Sequence, residues 1–209
     1  MPRLLIAYAS LAGATAEVAR EIAEELSRAG FTAEVRAVAD VDRLDGYAGV
    51  VLGGPMILGW HRAALGFLRR HRAALQKLPL AVFVLAMRLT QPADTMVGGL
   101  PVLVDEHLPT PPAVPGRLSL KERYAQLGNY VRPILAAVRP AKPAALALFG
   151  GRMEYGRLPW WAVIFAMAVI QAPAGDRRNR PVIRAWAASL PAAMRLAPAP
   201  HAEAHALAG

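Results

Sequence analysis

Leu4-Leu5-Ile6-Ala7-Tyr8-Ala9, then Ser10-Leu11-Ala12-Gly13-Ala14-Thr15, then a periodic run from Ala16 to Ala29: this opening decides the fold. The first six residues are a short apolar run, the pattern of a buried strand. Val18, Ile22 and Leu26 then recur every four residues with Ala19 and Ala23 beside them, and Glu17, Glu21, Glu24 and Glu25 take the other side. That is the stripe of an amphipathic helix. Arg28 in the last turn and Gly30 after it mark its end.

Between strand and helix lies a loop of small and hydroxyl residues. The first amides of a helix have no internal partners and point outward, and the aligned peptide dipoles add partial positive charge there. Such a turn holds a phosphate without Lys or Arg. Ser10 and Thr15 add hydroxyls, and Gly13 allows close backbone approach. Neither a GxGxxG nor a GxxxxGK[ST] pattern is present, so the dinucleotide and triphosphate fingerprints are absent. The loop suits a terminal monophosphate such as that of FMN; the alternative is an ordinary β–α turn of small residues.

Working outward, Thr32 to Val38 alternates as a second strand, and Gly49 to Gly53 is a third that runs into Gly54-Pro55. Met56 to Gly59 is a loop, His61 to Gln76 a basic helix, and Pro79 to Ala86 a fourth strand, apolar throughout. Ser119-Leu120-Lys121-Glu122 is a capping box opening a helix whose buried face reads Leu120, Tyr124, Leu127, Val131, Leu135 and Val138, with Pro133 expected to kink it. Pro143 to Phe149 is the fifth strand, and Pro181 to Arg195 a last helix. Strands alternating with helices give a parallel sheet covered on both faces. Right-handed crossovers and a phosphate-shaped first loop select the doubly wound order 2-1-3-4-5. Residues 91–117 break the rhythm with a long proline-rich insertion after strand four, read as a flap near a site or as a disordered insertion. One domain over residues 1–196 and a mobile tail over 197–209 are expected.

The chain has 209 residues, a formal net charge of +9 and 55% hydrophobic residues, many of them alanine. The charge suits an acidic partner such as a membrane surface, a nucleic acid or a carboxylated ligand. No cysteine is present, which excludes disulfides, thiol nucleophiles, Fe–S clusters and Cys-type zinc sites, and fits a reducing compartment. The amino end runs straight into a strand with no leader pattern, and no apolar run reaches the roughly 20 residues of a membrane-spanning helix. His201 and His205 stand four apart in the tail, but no metal site is expected.

Three pieces carry a family resemblance: Tyr8 to Thr15 with its helix; Val50-Val51-Leu52-Gly53-Gly54-Pro55 with Gly59-Trp60-His61 and the helix from Ala64 to His71; and Phe149-Gly150-Gly151-Arg152-Met153-Glu154-Tyr155, Trp160-Trp161, an apolar stretch and Gly175-Asp176. In order and spacing the chain resembles the flavodoxin-domain proteins, and more narrowly the menaquinone-dependent protoporphyrinogen oxidase family. The resemblance implies a three-layer α/β flavodoxin-like fold and non-covalent FMN. It also implies membrane association and electron transfer between a tetrapyrrole precursor and quinone. Two departures stand out: Ala12 replaces a polar residue of some relatives, and the insertion at 91–117 is long.

On that reading Ser10, Gly13, Ala14 and Thr15 hold the phosphate, with Leu11 and Ala12 of the same loop also at the cofactor. Met56, Ile57, Leu58, Gly59 and Trp60 approach one side of the flavin ring, with Trp60 stacking on it or packed on the sheet. Ala86, Met87, Arg88, Leu89 and Thr90 approach the other side. Arg88, Gly151 and Arg152 are the substrate candidates, and His61 is a candidate proton shuttle or an ordinary surface histidine. Trp160 to Ile170, flanked by Arg157, Arg177, Arg178 and Arg180, is either a buried helix or an interfacial one meeting anionic lipid. The expected protein is an FMN-dependent, quinone-linked oxidoreductase acting on a small molecule. It is cytoplasmic or peripheral on the inner membrane face, with no nucleic-acid partner. The alternative is a flavodoxin-like electron carrier that docks to a redox partner.

Overall fold

In the computed structural model the opening run becomes β1 (Arg3–Tyr8) and α1 (Ala14–Arg28). Residues 1–56, 59–92, 94–153 and 175–198 are described. The other main strands are β2 (Thr32–Ala37), β3 (Gly49–Met56) and β4 (Leu80–Ala86). The short strands of the insertion follow: β5 (Leu89–Thr90), β6 (Met96–Val97), β7 (Leu100–Pro101), β8 (Leu103–Val104) and β9 (Pro109–Thr110). Then come β10 (Ala145–Gly150), β11 (Arg152–Met153) and β12 (Gly175–Asp176). Helices α2 (Arg62–Arg70), α3 (Arg72–Leu75), α4 (Leu120–Tyr124), α5 (Leu127–Val138) and α6 (Arg180–Ala193) connect them.

The central sheet has the order β2-β1-β3-β4-β10-β8, every pairing parallel. The expected 2-1-3-4-5 order holds, with β10 as the fifth strand. One strand was not foreseen: β8, from the insertion, pairs Leu103 with Ala147 and Val104 with Leu148 at the sheet edge. Leu103 and Val104 are too short a run to register as a strand. The rest of the insertion is also built. Around Gly98 and Gly99, both at positive φ, β6 and β7 form a hairpin, and β9 pairs with β5.

Side-chain alternation along buried strands splits the core in two. Leu5, Ala7, Val50, Leu52, Val82 and Val84 face α2 and α5. Leu4, Ile6, Val51, Phe83, Leu85 and Phe149 face α1 and α6. On the second face Trp186 of α6 meets the rings of Phe83 and Phe149 edge-on, at centroid distances of 6.3 and 5.6 Å.

Two helices expected to be continuous are broken. The 61–76 helix divides at His71, whose ring is buried with its centroid 4.6 Å from that of Phe67. The helix opened by Ser119 stops at Tyr124 and restarts at Leu127. The break resets the helical phase. Leu120 is consequently 83% exposed and Tyr124 41% exposed, while Tyr130 and Ile134 join Leu127, Val131 and Val138 in the core.

The capping box itself is complete. Glu122 accepts from the amides of Ala113 and Ser119 and from the Ser119 hydroxyl, each at 2.7 Å. These donors, the Ala113 amide foremost, hold its carboxyl down to about 2 from an ordinary 4.5. A carboxyl depressed on folding stabilises the fold above its unfolded pKa and loses that contribution as pH falls through the folded value. Stability is therefore expected to decline from about pH 5 to about pH 2. Urea unfolding at a series of pH values should show a shallower decline in Glu122→Gln.

Candidate cofactor-binding site

The carboxyl ends of β1, β3 and β4 bring three turns together around one pocket. Ser10, Leu11, Ala12, Ala14 and Thr15 line it on one side; Pro55, Met56, Leu85, Met87, Gly151 and Arg152 complete it. Gly13 is the N-cap of α1 at φ +88, a left-handed conformation costly for any residue with a Cβ. Its amide donates to Ser10 Oγ at 2.9 Å, which folds the loop back over the helix start. The first-turn amides of Ala14, Thr15 and Ala16 have no helical carbonyl within reach. Alanine at positions 12 and 14 keeps the approach to them unobstructed.

The second turn closes quickly. Met56 and Trp60 form an isolated antiparallel bridge, and the His61 amide donates to Pro55 O at 3.2 Å. Gly59 sits at φ +100, and a Cβ there would come within 3.6 Å of the Tyr124 hydroxyl. Ile57 and Leu58 lie outside the described residues. The Trp60 side chain is not presented for stacking: it is 3% exposed, packs over Gly54, and donates Nε1–H to Gly54 O at 3.3 Å. The sheet-packed alternative for Trp60 is the one realised. His61 serves as the N-cap of α2, its Nδ1 accepting from the Ala63 amide at 3.3 Å, and burial lowers its pKa.

The third turn divides. Ala86 ends β4 at the pocket, Met87 lines it, and Arg88 is exposed beside them. Leu89 and Thr90 turn away. Leu89 is fully buried, and Thr90 donates its hydroxyl to Glu122 O and its amide to Ala125 O, both at 2.7 Å. Among the described residues of the insertion, expected as a flap near a site or a disordered insertion, none lines this pocket. They border a separate, open cleft of about 420 Å³ against the start of α5, lined among others by Gln91, Asp94, Gln126 and Arg132.

Gly150 and Gly151 serve the chain's own return path rather than an open approach for substrate. A Cβ on Gly150 would lie 2.0 Å from Arg177 O. Gly151 donates its amide to Ala86 O at 2.9 Å and accepts from the Arg177 amide at 3.0 Å. Arg152 and Asp176 are paired neighbours in the β11–β12 ribbon, so the excursion at 154–174 leaves and returns beside the pocket. That excursion, with Trp160 to Ile170, and the tail from 199 onward, with His201 and His205, lie outside the described residues.

Glu17 in the first turn of α1 organises the surrounding charge. It accepts from Arg152 at 2.6 Å and Arg178 at 2.8 Å, and the Arg178 bond is the main cause of its lowered pKa. Arg178 also grips Asp176, whose carboxyl it holds down to about 2. One turn on, Glu21 accepts from Arg180 at 3.0 Å and Arg184 at 2.7 Å of α6. The Arg178 side chain, 2% exposed, is thus buried structure and not a lipid-facing group. The sequence hid these roles, because Glu17 and Glu21 have the spacing of any solvated helix face. Their ion pairs distinguish them: Glu17 with Arg152 of β11 and Arg178 before α6, and Glu21 with Arg180 and Arg184 of α6.

The family model for the flavodoxin domain matches residues 5–179. The chain belongs to this family. Three curated relatives with one description, protoporphyrinogen IX dehydrogenase [quinone] of Escherichia coli strains, include that of strain K12. That protein is 22% identical over 189 residues, covering 88% of each chain. Among solved structures, a point mutant of Pseudomonas aeruginosa flavodoxin aligns with a TM-score of 0.49 at 15% identity, over 92% of this chain and 99% of that one. Two-electron reduced Megasphaera elsdenii flavodoxin aligns at 0.46 and 14% identity, over 69% and 84%. Flavodoxin-domain proteins bind FMN, and the donor set here fits it: backbone amides and hydroxyls for the phosphate, and the apolar sides of Met56 and Met87 for a ring. No group of His, Cys, Asp and Glu among the described residues could hold a metal ion.

Proposed function

We propose that this flavodoxin-domain oxidoreductase draws electrons from a small organic donor, a tetrapyrrole precursor, and delivers them to a quinone. The observation that carries the reading is the likeness to protoporphyrinogen IX dehydrogenase [quinone] along nearly the full length of both chains. On this reading Ser10 to Thr15 hold the phosphate of FMN, Met56 and Gly59 border one side of the ring, and Ala86, Met87 and Arg88 border the other. Bound FMN supplies a ring that takes up and releases electrons. The protein's share is to bind and orient it. The α1 amides fix the phosphate end, and Met56, Met87 and Leu85 exclude water from the ring's inner edge. Arg152, anchored on Glu17, offsets anionic charge at the pocket wall.

The segment at 160–170 is proposed to touch the membrane surface from the cytoplasmic side and bring a quinone within reach. No helix among the described residues is long and apolar enough to cross a membrane.

The test is direct. The purified protein should absorb near ~450 nm and release FMN on denaturation. Under anaerobic conditions protoporphyrinogen should bleach that band and a menaquinone analogue should restore it. Vesicles containing anionic lipid should co-sediment the protein. Flavin binding without bleaching by the donor would favour the electron-carrier reading, and failure of excess FMN to bind would end both.

A further inference from the structure

Residues 113–124 are folded so that their charges separate. Glu122 is the one acidic residue of this stretch and is buried. Its carboxylate is filled from within by the Ala113 and Ser119 amides and the Ser119 hydroxyl. The cations of the stretch, Arg117, Lys121 and Arg123, are all exposed. So are three large apolar side chains: Val114 at 55%, Leu120 at 83% and Tyr124 at 41%. Leu120 and Tyr124 stand one turn apart on α4 and therefore share a face. A single surface leucine needs no explanation. Here apolar residues and neighbouring cations together make up the outside of one short helix.

The unit is held from several sides. Val114 and Arg117 close an antiparallel bridge around a turn with Gly116 at φ +77. The Ala113 bond ties that turn to α4. The Thr90 hydroxyl on Glu122 O and the Thr90 amide on Ala125 O tie α4 to β5. A Cβ on Gly59 would lie 3.6 Å from the Tyr124 hydroxyl, so the unit also reaches the turn after β3. An apolar tip that is already ordered loses little freedom when it is buried.

Its surroundings carry one sign. The sequence has no Asp or Glu from 46 to 93 or from 123 to 153. These stretches build α2, α3 and α5, which pack on one side of the sheet and expose Arg62, Arg69, Arg72, Arg132 and Arg139. Ala125, at the end of α4, is buried in the core of that same side.

We infer that residues 113–124 dock this protein on an anionic lipid surface. Leu120 and Tyr124 enter the headgroup boundary, and Arg117, Lys121 and Arg123 meet the headgroups. Each signal is weak alone, and buried apolar area and attraction to anionic lipid add together. An acidic polypeptide answers the cations; a bilayer answers the cations and the leucine. This surface is separate from the contact proposed at 160–170 and does not depend on which donor or acceptor the protein uses. Because the unit is tied to the turns after β3 and β4, docking sets that edge of the sheet against the bilayer.

The experiment uses the full chain and sucrose-loaded vesicles of phosphatidylcholine, with and without about one-third phosphatidylglycerol. Wild-type protein should sediment with the anionic vesicles only. Leu120→Ser should weaken that binding about tenfold, the loss of one buried apolar side chain. Arg123→Gln should weaken it about fivefold and flatten its salt dependence. Arg20→Gln, the same charge change at an exposed position of α1, should match wild type. Urea midpoints should be equal in all four proteins. Soluble poly-glutamate is the second probe: Leu120→Ser should bind it as wild type does. Wild-type protein that ignores anionic vesicles overturns the inference. So does vesicle binding that survives Leu120→Ser, which would leave attachment to bulk charge or to another segment such as 160–170. A Leu120→Ser loss that is equal for poly-glutamate and vesicles also overturns it, and would give the surface to an acidic protein partner.

Discussion

Gly150→Ala is expected to destabilise the fold by about 3 kcal/mol or more. The added Cβ would lie 2.0 Å from Arg177 O and 2.7 Å from its carbonyl carbon. Both are backbone atoms, so no rotamer change relieves the overlap. Gly150 cannot retreat either, because it is paired with Ala86 across the sheet. The return segment must lift away, and with it the Arg177 amide bond to Gly151 and the Arg178 grip on Glu17. Urea denaturation should show a lower midpoint, and FMN titration a weaker complex. Gly66→Ala is the matched control. A Cβ there meets nothing within 4 Å in the middle of α2, so that variant should gain about 0.5–1 kcal/mol from helix propensity.

Gly13→Val should act on the ligand more than on the fold. Valine at φ +88 is strained by about 1–2 kcal/mol, and the loop is expected to move rather than hold that conformation. Moving it breaks the Gly13 amide bond to Ser10 Oγ and turns the first α1 amides off their common target. FMN affinity is expected to fall about a hundredfold, or ~2.7 kcal/mol. Riboflavin, which lacks the phosphate, supplies the internal comparison: its weaker binding should be nearly unaffected. Equal losses for the two flavins would mean that the loop positions the ring, not the phosphate.

The middle of the sheet was legible because β1, β3 and β4 are buried on both faces. Val50-Val51-Leu52 and Leu80 to Leu85 are apolar without interruption, and that pattern together with the covering helices leaves few parallel arrangements. The turn of Ser10 to Thr15 between β1 and α1 was legible for a similar local reason: Gly13 at φ +88 and the Ser10 Oγ that accepts its amide lie within the loop itself. What escaped was non-local. Whether Trp60 faces a ring or Gly54 depends on how closely β3 approaches α2. Whether Leu120 is buried depends on a helix break further along the chain, at Ala125 and Gln126. Gly151, a substrate candidate from the sequence, lines the pocket while it bonds Ala86 and Arg177, and the Arg177 backbone packed on Gly150 comes from beyond the whole 154–174 excursion. β8 was too short to show a period at all.

The ribbon of β11 and β12 has one further consequence. Because Arg152 faces Asp176 and Met153 faces Gly175, the two ends of the intervening stretch are already neighbours. Lengthening a loop whose ends are so joined adds only a logarithmic entropic cost. Both ends of the stretch are held in one frame by the Arg152–Glu17 and Arg178–Glu17 anchors, so a change of its length leaves its points of departure and return together. Evolution could retune what this protein touches there, and an engineer could splice in a reporter, without redesigning the cofactor's seat.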